Sequence, residues 1–378
     1  MTTERELDQL AAVAIRQYGY ERSERLTAIF EAHDRSLSRI HHVARELVGS
    51  SETLFCLERD RSGHPAVRCK PLGKLLVEAF NTNFQQVRLD YPLHRFSPVF
   101  EVFEMLGRRV PLNLDHYLDV VLPEEQCQRI LKFVVKGAEL LRRKLGRESL
   151  KTAHENFRRA AKDNFNGSIN VLEWIAQRHT GAMVLRMDLH FRKLGARVPK
   201  LGDVPDVEAI DDFLECRERF HRSFDRRFGK KLLGYAWVLE YGRERGFHAH
   251  YLLVLDQSVH DDHAALVNRL GEKWSELTGG RGDFYNCNAH AHKYRYRAVG
   301  RIRFDDPGAV KGLHLILSYI TLAPLFVKLD VRPAMKTFGK GRFPKGPMNR
   351  PGRQSNRVSK VPIRISVAEA LAAYVNYL

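Results

Sequence analysis

The side chains best suited to chemistry lie in residues 246–254, where two histidines flank one small residue at the start of an apolar run. Alternate residues of a β-strand point to the same face of its sheet, so His248 and His250 point the same way if this run is a strand. Two imidazoles with this spacing can hold one metal ion. The alternative interpretation is that both are polar positions on a half-buried sheet.

The preceding residues 232–241 have the same β-type composition, and a short loop bounded by two glycines follows them, which predicts a β-hairpin. Pairing outward from that loop sets Glu240 opposite His248 and Val238 opposite His250, with facing Cβ atoms about 5 Å apart. Glu240, His248 and His250 are therefore predicted to converge on one face. Two imidazoles and one carboxylate suit Mg²⁺, Mn²⁺ or Zn²⁺.

A further β-type run, residues 182–191, extends this polar cluster. Arg186, Asp188 and His190 alternate along it and therefore share one face. Asp188 and His190 are candidates to hydrogen-bond the metal ligands from behind and so orient them. A solvated strand face is the alternative interpretation.

The order of the elements around these runs indicates the fold class. Residues 204–227, with Asp206 as N-cap, and residues 259–276 have helical periodicity. Residues 292–304 are predicted as another strand and 312–321 as an apolar helix or a buried strand. The resulting β–α–β–β–α order is typical of an α+β domain with a central, mainly antiparallel sheet and flanking helices.

The N-terminal part of the chain has a different pattern. Residues 4–48 and 123–143 have apolar positions at helical spacing. The predicted division is a mostly helical region of unassigned role over 1–170, the α+β domain over 171–345 and a basic tail over 346–378.

Composition narrows the class of partner. The 378 residues carry a formal charge of +17, which favours nucleic acid as a polyanionic partner over a merely well-solvated surface. The five cysteines form no Cys-x-x-Cys pair, so reduced thiols in a cytosol are expected rather than a disulfide or zinc framework. We find no signal peptide, no apolar run near the ~18 residues of a membrane span, and no ATP-binding phosphate loop.

Residues 232–242 and 246–250 together resemble the inovirus gene-two type of rolling-circle replication initiator, which occurs in filamentous phages and their prophages. Other landmarks agree in order: Trp274, 285–288, Lys293, Tyr296, 300–302, Asp305, 318–321, Arg332 and 337–341. The resemblance spans roughly residues 180–345. That family belongs to the His-hydrophobic-His (HUH) endonuclease superfamily, so it implies an HUH-type sheet and nuclease domain.

The resemblance also implies a reaction. Tyr319 stands where the family has the tyrosine that attacks a phosphate of single-stranded origin DNA, which leaves a 5′-phosphotyrosine link and a free 3′-hydroxyl. A tyrosine hydroxyl, with a pKa of about 10, is a poor nucleophile at neutral pH, so a divalent metal, Mg²⁺ or Mn²⁺, is expected at Glu240, His248 and His250. The bacterial cytoplasm is the expected location, and a host helicase is a candidate partner whose recruitment the sequence leaves open.

One departure from the family pattern keeps two other interpretations open. Leu322 stands where the family has a lysine after the tyrosine, and Lys328 is too far along the chain to replace it. Tyr319 also has apolar neighbours, as a core tyrosine would. The first of these interpretations is a cleavage-deficient DNA-binding relative from a phage or mobile element. The second is a metallohydrolase that acts on RNA or nucleotides.

Basic and aromatic residues near the C-terminus are candidates for DNA contacts. Aromatic rings stack on bases while neighbouring cations meet phosphates. The candidates are Lys293, Tyr294, Arg295, Tyr296, Arg297, Lys340 and Arg342. Outward residues of a solvated strand and a solubilising tail are the alternatives.

Overall fold

A computed structural model describes residues 4–18, 24–110, 114–191, 209–242, 246–294 and 296–341. Within these residues the helices are α1 (Glu4–Tyr18), α2 (Glu24–Gly49), α3 (Pro71–Phe80), α4 (Phe84–Asp90), α5 (Pro98–Gly107), α6 (Glu124–Leu145), α7 (Glu148–Ala176), α8 (Ala209–Phe228), α9 (His263–Leu277) and α10 (Pro307–Leu322). The strands are β1 (Phe55–Arg59), β2 (Pro65–Cys69), β3 (His94–Phe96), β4 (Gly181–His190), β5 (Leu232–Gly242), β6 (Gly246–Asp256), β7 (Asp283–Asn286), β8 (Gly300–Arg303), β9 (Val327–Leu329) and β10 (Phe338–Lys340).

A six-stranded antiparallel sheet forms the centre of the molecule. Its strand order is β10-β5-β6-β4-β7, and β8 pairs with the other end of the same edge of β4. Two short ribbons, β1–β2 and β3–β9, lie outside this sheet. The predicted α+β class, with a mainly antiparallel sheet after a mostly helical region, is confirmed.

The β5–β6 hairpin has the register that its alternating pattern predicts. Glu240 pairs with His248, Val238 pairs with His250, and Tyr241 and Phe247 close the loop. The opposite face of the hairpin packs against α8 and α9. That core includes Phe213, Phe220, Trp237, Leu239, Tyr251 and Trp274. Because the side chains of a strand alternate, burying this apolar set turns Glu240 and both histidines to the other face.

A second core covers the face that carries the histidines. It joins α10, α7 and the N-terminal helices, with buried residues from Leu7 to Phe326. The predicted boundary at residue 170 falls inside α7 (Glu148–Ala176). The division into domains stays a prediction, and the tail over 346–378 lies outside the described residues.

The helix α10 is the central element of this second core. Asp306 caps its N-terminus by accepting from the backbone N–H of Gly308, and Pro307 follows as the first helical residue. Of the residues that the structure describes, only Pro307–Leu325 forms a helix long and apolar enough to cross a membrane, so the expectation that no run approaches that length is wrong. Of its most apolar stretch, 78% is buried inside the fold, as in the core helix of a globular protein.

The predicted strand over residues 292–304 is wrong except at its end. Ala291–Lys293 forms a 3₁₀ turn, and only Gly300–Arg303 joins the sheet as β8. Gly300 has a φ of 84°, in the left-handed region that favours glycine, where the chain enters β8. Asp206, the predicted cap of α8, lies outside the described residues.

Candidate metal centre and nucleophile

The β5–β6 hairpin supplies three side chains that face one another. Glu240 pairs directly with His248 across the strands, and His250 lies two residues further along the same face of β6. Gly246 turns the chain into β6 with a φ of 62°. Both imidazoles are buried, whereas the side chain of Glu240 is 27% exposed. The cluster is therefore open on the Glu240 side.

The spacing of the three ligand groups suits one shared cation. Oε2 of Glu240 lies 3.2 Å from Nε2 of His250 and 3.6 Å from Nε2 of His248. One ligand atom from each residue lies within 4.8 Å of the other two. Ligand atoms bound to one cation at about 2.1 Å stand about 3.0 Å apart in octahedral and about 3.4 Å apart in tetrahedral coordination. The predicted convergence is confirmed, and metal binding stays a prediction.

The outer nitrogen of each histidine already has an acceptor. Nδ1 of His248 lies 3.0 Å from the carbonyl oxygen of Gly246, and Nδ1 of His250 lies 2.6 Å from Oδ1 of Asp188. An imidazole whose Nδ1–H donates in this way presents Nε2 to a metal, and a carboxylate behind it strengthens the ligand. Asp188 thus has the position that was predicted from its place on β4.

The other residue predicted behind the ligands, His190, lies beside one of them. It pairs with His248 in the β4–β6 register, and the two ring centroids are 5.8 Å apart. His190 is buried, and its backbone carbonyl accepts a hydrogen bond from the indole of Trp274. It does not belong to the group of mutually close ligand atoms found among the described residues.

Opposite charges control the ionisation of this cluster. Burial alone would lower the pKa of His250, but the carboxylates of Asp188 and Glu240 raise it to about 9. Burial alone would raise the pKa of each carboxylate, but the charge on His250 helps to hold both well below their usual range. Without a metal, His250 is therefore an imidazolium at neutral pH, and a cation at its Nε2 must displace a proton.

Tyr319 brings its hydroxyl into the same cluster. Its Oη lies 2.8 Å from Nε2 of His250 and 3.5 Å from Oε2 of Glu240. Tyr319 is only 4% exposed, and its ring stands edge-on to that of His250 with centroids 5.0 Å apart. The ring thus belongs to the core, as its apolar neighbours indicate, while the hydroxyl belongs to the polar site.

A fully buried arginine completes the cluster. Arg186 lies on β4 two residues before Asp188, and its charge helps to lower the pKa of that carboxyl. Its guanidinium carbon is 5.5 Å from the ring centroid of Tyr319, and its Nη1 lies 3.2 Å from Oη of Tyr294. The alternation of Arg186, Asp188 and His190 predicts a shared face, but the pairing with Tyr294, 108 residues away in sequence, has no local signal.

Leu322, which stands where the family has a lysine, belongs to the core around α10, and Lys328 contacts α7. Leu322 is completely buried. Lys328 lies on β9, where its ammonium donates a hydrogen bond to the carbonyl oxygen of Phe157 on α7 and stands 4.3 Å from the Phe157 ring. The expectation that Lys328 does not replace the missing lysine agrees with this placement.

The candidate DNA contacts divide by exposure. Lys293 and Arg297 are exposed, and Tyr296 is half-buried, with the Lys311 ammonium 5.6 Å from its ring centroid. Tyr294 is buried and turned toward Arg186, so its ring is not presented at the surface. Nζ of the half-buried Lys340 lies against Gly167 on α7. Arg295 and Arg342 lie outside the described residues, and DNA contact at all seven positions stays a prediction.

Arg297 also lines a cleft near the opposite end of β4 from the metal ligands. The cleft has a volume of about 670 Å³, and Arg301, Arg303 and Met183 contribute to its walls. Arg303 is paired with Asp305, and Arg301 donates to the backbone carbonyls of residues 257 and 259. Arginines held in this way present fixed positive charge at the surface.

Comparison with known proteins gives one family. The sequence model of the YagK/YfjJ C-terminal domain matches residues 147–340, which is about half of the chain and contains every residue of the candidate centre. No curated protein and no solved structure matches the chain.

Proposed function

This chain belongs to the YagK/YfjJ C-terminal domain family, which is prophage-associated, and we propose that it is a metal-dependent nickase that starts rolling-circle replication of a mobile element. In this proposal the resemblance to the inovirus gene-two initiators reflects a shared HUH-type site. The substrate is single-stranded origin DNA. The protein acts in the cytoplasm of a bacterial host and works beside a host helicase.

The contact between Tyr319 and His250 carries the proposal. The hydroxyl of a buried tyrosine needs a hydrogen-bond partner, and the partner of Oη of Tyr319 belongs to the one group of convergent metal-type ligands in the described part of the chain. A nucleophile must lie this close to the charges that act on the same phosphate. The cation, Mg²⁺ or Mn²⁺, would be held by Glu240, His248 and His250 and would supply positive charge for the phosphate.

The residues of the chain have separate roles in the proposed step. The Tyr319 oxygen attacks the phosphorus, the bond from phosphorus to the 3′-oxygen breaks, and the 5′-phosphate stays on the tyrosine. The phenol proton passes to water and the 3′-oxygen takes a proton from water, while Oε2 of Glu240, which the hydroxyl faces, would hold the cation. Asp188 holds His250 in place. One phosphodiester replaces another, so the linked strand can later be rejoined.

Covalent capture of DNA tests this proposal. Full-length protein is incubated with a panel of single-stranded oligonucleotides and Mg²⁺ or Mn²⁺, and adducts that survive denaturing gels are counted. Wild type is expected to form the adduct and Tyr319→Phe to form none. Tyr117→Phe, which alters an exposed tyrosine of the N-terminal region, is the matched control and keeps the adduct. An adduct that persists in Tyr319→Phe would show that another residue is the nucleophile.

A cleavage-deficient DNA-binding protein is the second candidate. The nearly complete burial of Tyr319 and the apolar residue at Leu322 favour it, because substrate must reach a hydroxyl that the core encloses. It predicts salt-sensitive DNA binding with no cleavage in any divalent metal. Cleaved RNA or nucleotides without a protein adduct would instead indicate a metallohydrolase.

A further inference from the structure

A second polar site lies at the other end of β4 from the candidate metal centre, in the cleft of about 670 Å³. Residues of β8 and of the N-terminal ends of α9 and α10 line this cleft. Arg301 on β8 pairs with Met183 of β4, whereas His250 pairs with Asp188 further along the same strand. The five-residue step from Met183 to Asp188 spans about 17 Å. One phosphate group therefore cannot reach both places.

The hydrogen bonds of one amide fix the tautomer of a histidine in this cleft. Oδ1 of Asn288 accepts from the backbone N–H of Arg186 at 2.8 Å, and Nδ2 of Asn288 donates to the carbonyl of Val184 at 2.9 Å. The same Nδ2, which can only donate, lies 3.4 Å from Nδ1 of His263. Nδ1 of His263 therefore accepts, and the neutral ring carries its proton at Nε2.

Two N–H donors then face each other in the cleft. Nη2 of Arg297 lies 3.5 Å from Nε2 of His263, and both nitrogens carry hydrogen. Burial lowers the pKa of His263, the charge of Asp262 opposes this effect, and the charges of Arg297 and Arg301 add to it. The ring is therefore neutral at pH 7 and keeps its single donor at Nε2. Donors that converge in this way fit one oxygen of an anion.

The ring of His263 is held in place by a close approach of the backbone. A Cβ at Gly300 would lie 2.8 Å from Cδ2 and 3.0 Å from Nε2 of this ring. Gly300 also has a positive φ, so a glycine suits this position on both grounds. His263 is the first residue of α9, whose N-terminal N–H groups favour a negative charge nearby.

The guanidinium of Arg301 adds positive charge beside these two donors. It donates to the backbone carbonyls of Gln257 and Val259, which are uncharged acceptors. Neither Arg301 nor Arg297 has an ion pair with a carboxylate among the described residues. The acidic residues that line the cleft already accept from other groups: Asp261 from Arg269, Asp262 from the backbone of Ala265 and Asp306 from the backbone of Gly308. The donors left for a ligand therefore come from the arginines and His263.

We propose that this cleft binds a phosphate group of a DNA strand, with Nε2–H of His263 and Nη2 of Arg297 donating to the same nonbridging oxygen. Arg301 supplies fixed positive charge beside it. This phosphate is a different one from the phosphate at the metal centre, because about 17 Å separates the two places. The assignment rests on the proposed function in one respect, since it takes the strand to be the one that Tyr319 cleaves.

DNA binding in the absence of metal tests the cleft apart from cleavage. Full-length protein in EDTA is titrated into a labelled single-stranded oligonucleotide, and fluorescence anisotropy gives Kd at several salt concentrations. Arg297→Gln is expected to weaken binding about tenfold, as loss of a hydrogen bond to a charged group does. The slope of log Kd against log salt should fall by about 0.7, the value for one phosphate contact of a single strand. Because Arg297 is exposed, this variant should fold as wild type does.

His263→Phe separates the donor from the charge. It keeps a ring against Gly300 but removes Nε2–H, so it should weaken binding about tenfold. Its salt slope should stay that of wild type, because a neutral donor releases no counterion. Arg129→Gln removes an exposed arginine from the N-terminal region and is the control, with the Kd of wild type. Wild-type affinity in Arg297→Gln or in His263→Phe would overturn the proposal, and so would an equal loss in Arg129→Gln.

A free deoxynucleoside monophosphate separates the two sources of a phosphate group. A site for the DNA backbone should bind it far more weakly than the oligonucleotide, because the other contacts of the strand are missing. Calorimetric titration in EDTA measures both ligands. A monophosphate that binds wild type as tightly as the oligonucleotide, and binds Arg297→Gln more weakly, would make the cleft a nucleotide site and overturn its assignment to DNA.

The two proposals fail separately. If wild type forms no DNA adduct but Arg297→Gln and His263→Phe weaken DNA binding as expected, the nickase proposal is wrong and the phosphate site in the cleft stands. If wild type forms the adduct and both variants bind DNA as Arg129→Gln does, only the assignment of the cleft is wrong.

Discussion

Oη of Tyr319 and Nε2 of His250 are 2.8 Å apart, and this nitrogen is also the one that faces the other metal-type ligands. One ring nitrogen can hold a proton or a cation but not both. In the metal-free protein, Nε2–H of the imidazolium donates to Tyr319, and the tyrosine hydroxyl donates to Glu240. Cation binding replaces that proton and releases the hydroxyl from this hydrogen bond.

Metal binding should therefore be coupled to proton release. Because the pKa of His250 is raised to about 9, uptake of Mn²⁺ at pH 7 should release about one proton from this residue, and affinity should rise about tenfold per pH unit below 9. Calorimetric titrations in buffers of different ionisation enthalpy measure how many protons are released when Mn²⁺ binds. An affinity for Mn²⁺ that does not change between pH 6.5 and 8.5 would contradict the assignment of His250 as an imidazolium in the metal-free protein.

Stability of the metal-free protein should fall at alkaline pH. The folded pKa of His250, about 9, lies above its ordinary value of 6.5. The stability that comes from this group is fully present below pH 6.5 and is lost as the pH rises through 9. Melting temperatures in EDTA should fall over this range in wild type, and His250→Gln should show a smaller fall. Parallel curves for the two proteins would count against the shifted pKa.

The ligand set could be predicted because it depends on short-range geometry. Side chains alternate along a strand without exception unless a bulge intervenes, and here the register shift of the hairpin lies at Leu232, far from the histidines. A short loop then fixes which residue faces which. The convergence of Glu240, His248 and His250 follows from those two facts alone, whereas the contact of Tyr319 with His250 follows only from the landmarks of a family.

The rest of the site depends on packing between segments far apart in sequence. Arg186 meets Tyr294, and β3 of the N-terminal region pairs with β9 beside the strand β5. Only three residues of β3 pair with β9, and so short a strand has no alternating pattern that could be recognised in the sequence. The mixed aromatic and basic pattern of residues 292–299 resembles a strand, but Tyr294 turns inward to the buried guanidinium, and none of the described residues in this range pairs with a strand.

Asp188→Asn should weaken metal binding through His250. The variant keeps the size of the side chain but removes the charge whose oxygen lies 2.6 Å from Nδ1 of His250. Loss of such a carboxylate behind a histidine ligand lowers metal affinity about 10- to 100-fold. Titration with Mn²⁺ measures the change, and Asp305→Asn, in an exposed ion pair with Arg303, is the control. Equal affinity for Mn²⁺ in the two variants would show that Asp188 does not orient His250 for metal binding.

The core beneath the sheet should depend strongly on Trp274. This residue is fully buried, lies edge-on to Phe213 and Phe220, and donates its indole N–H to the carbonyl of His190 at 2.8 Å. Trp274→Ala should lower the free energy of unfolding by about 3–5 kcal/mol. Denaturant melts measure it against Phe133→Ala, a residue that is 43% exposed, for which the change should stay within about 0.5 kcal/mol. A similar loss of the free energy of unfolding in both variants would contradict the role of Trp274 in packing the core.

Tyr296 and Tyr294 should contribute differently to DNA binding because one is partly exposed and the other is buried. Tyr296 is half-buried beside Lys311, so its ring has a surface on which a base can stack, and Tyr296→Ala should weaken binding by about 1–3 kcal/mol. Tyr294→Phe keeps a buried ring and removes only the hydroxyl near Arg186, so it should leave DNA affinity unchanged. Fluorescence anisotropy with a labelled single-stranded oligonucleotide at fixed salt measures both. If Tyr294→Phe weakens binding as much as Tyr296→Ala does, the hydroxyl of Tyr294 contributes to DNA binding, and exposure does not separate the two residues.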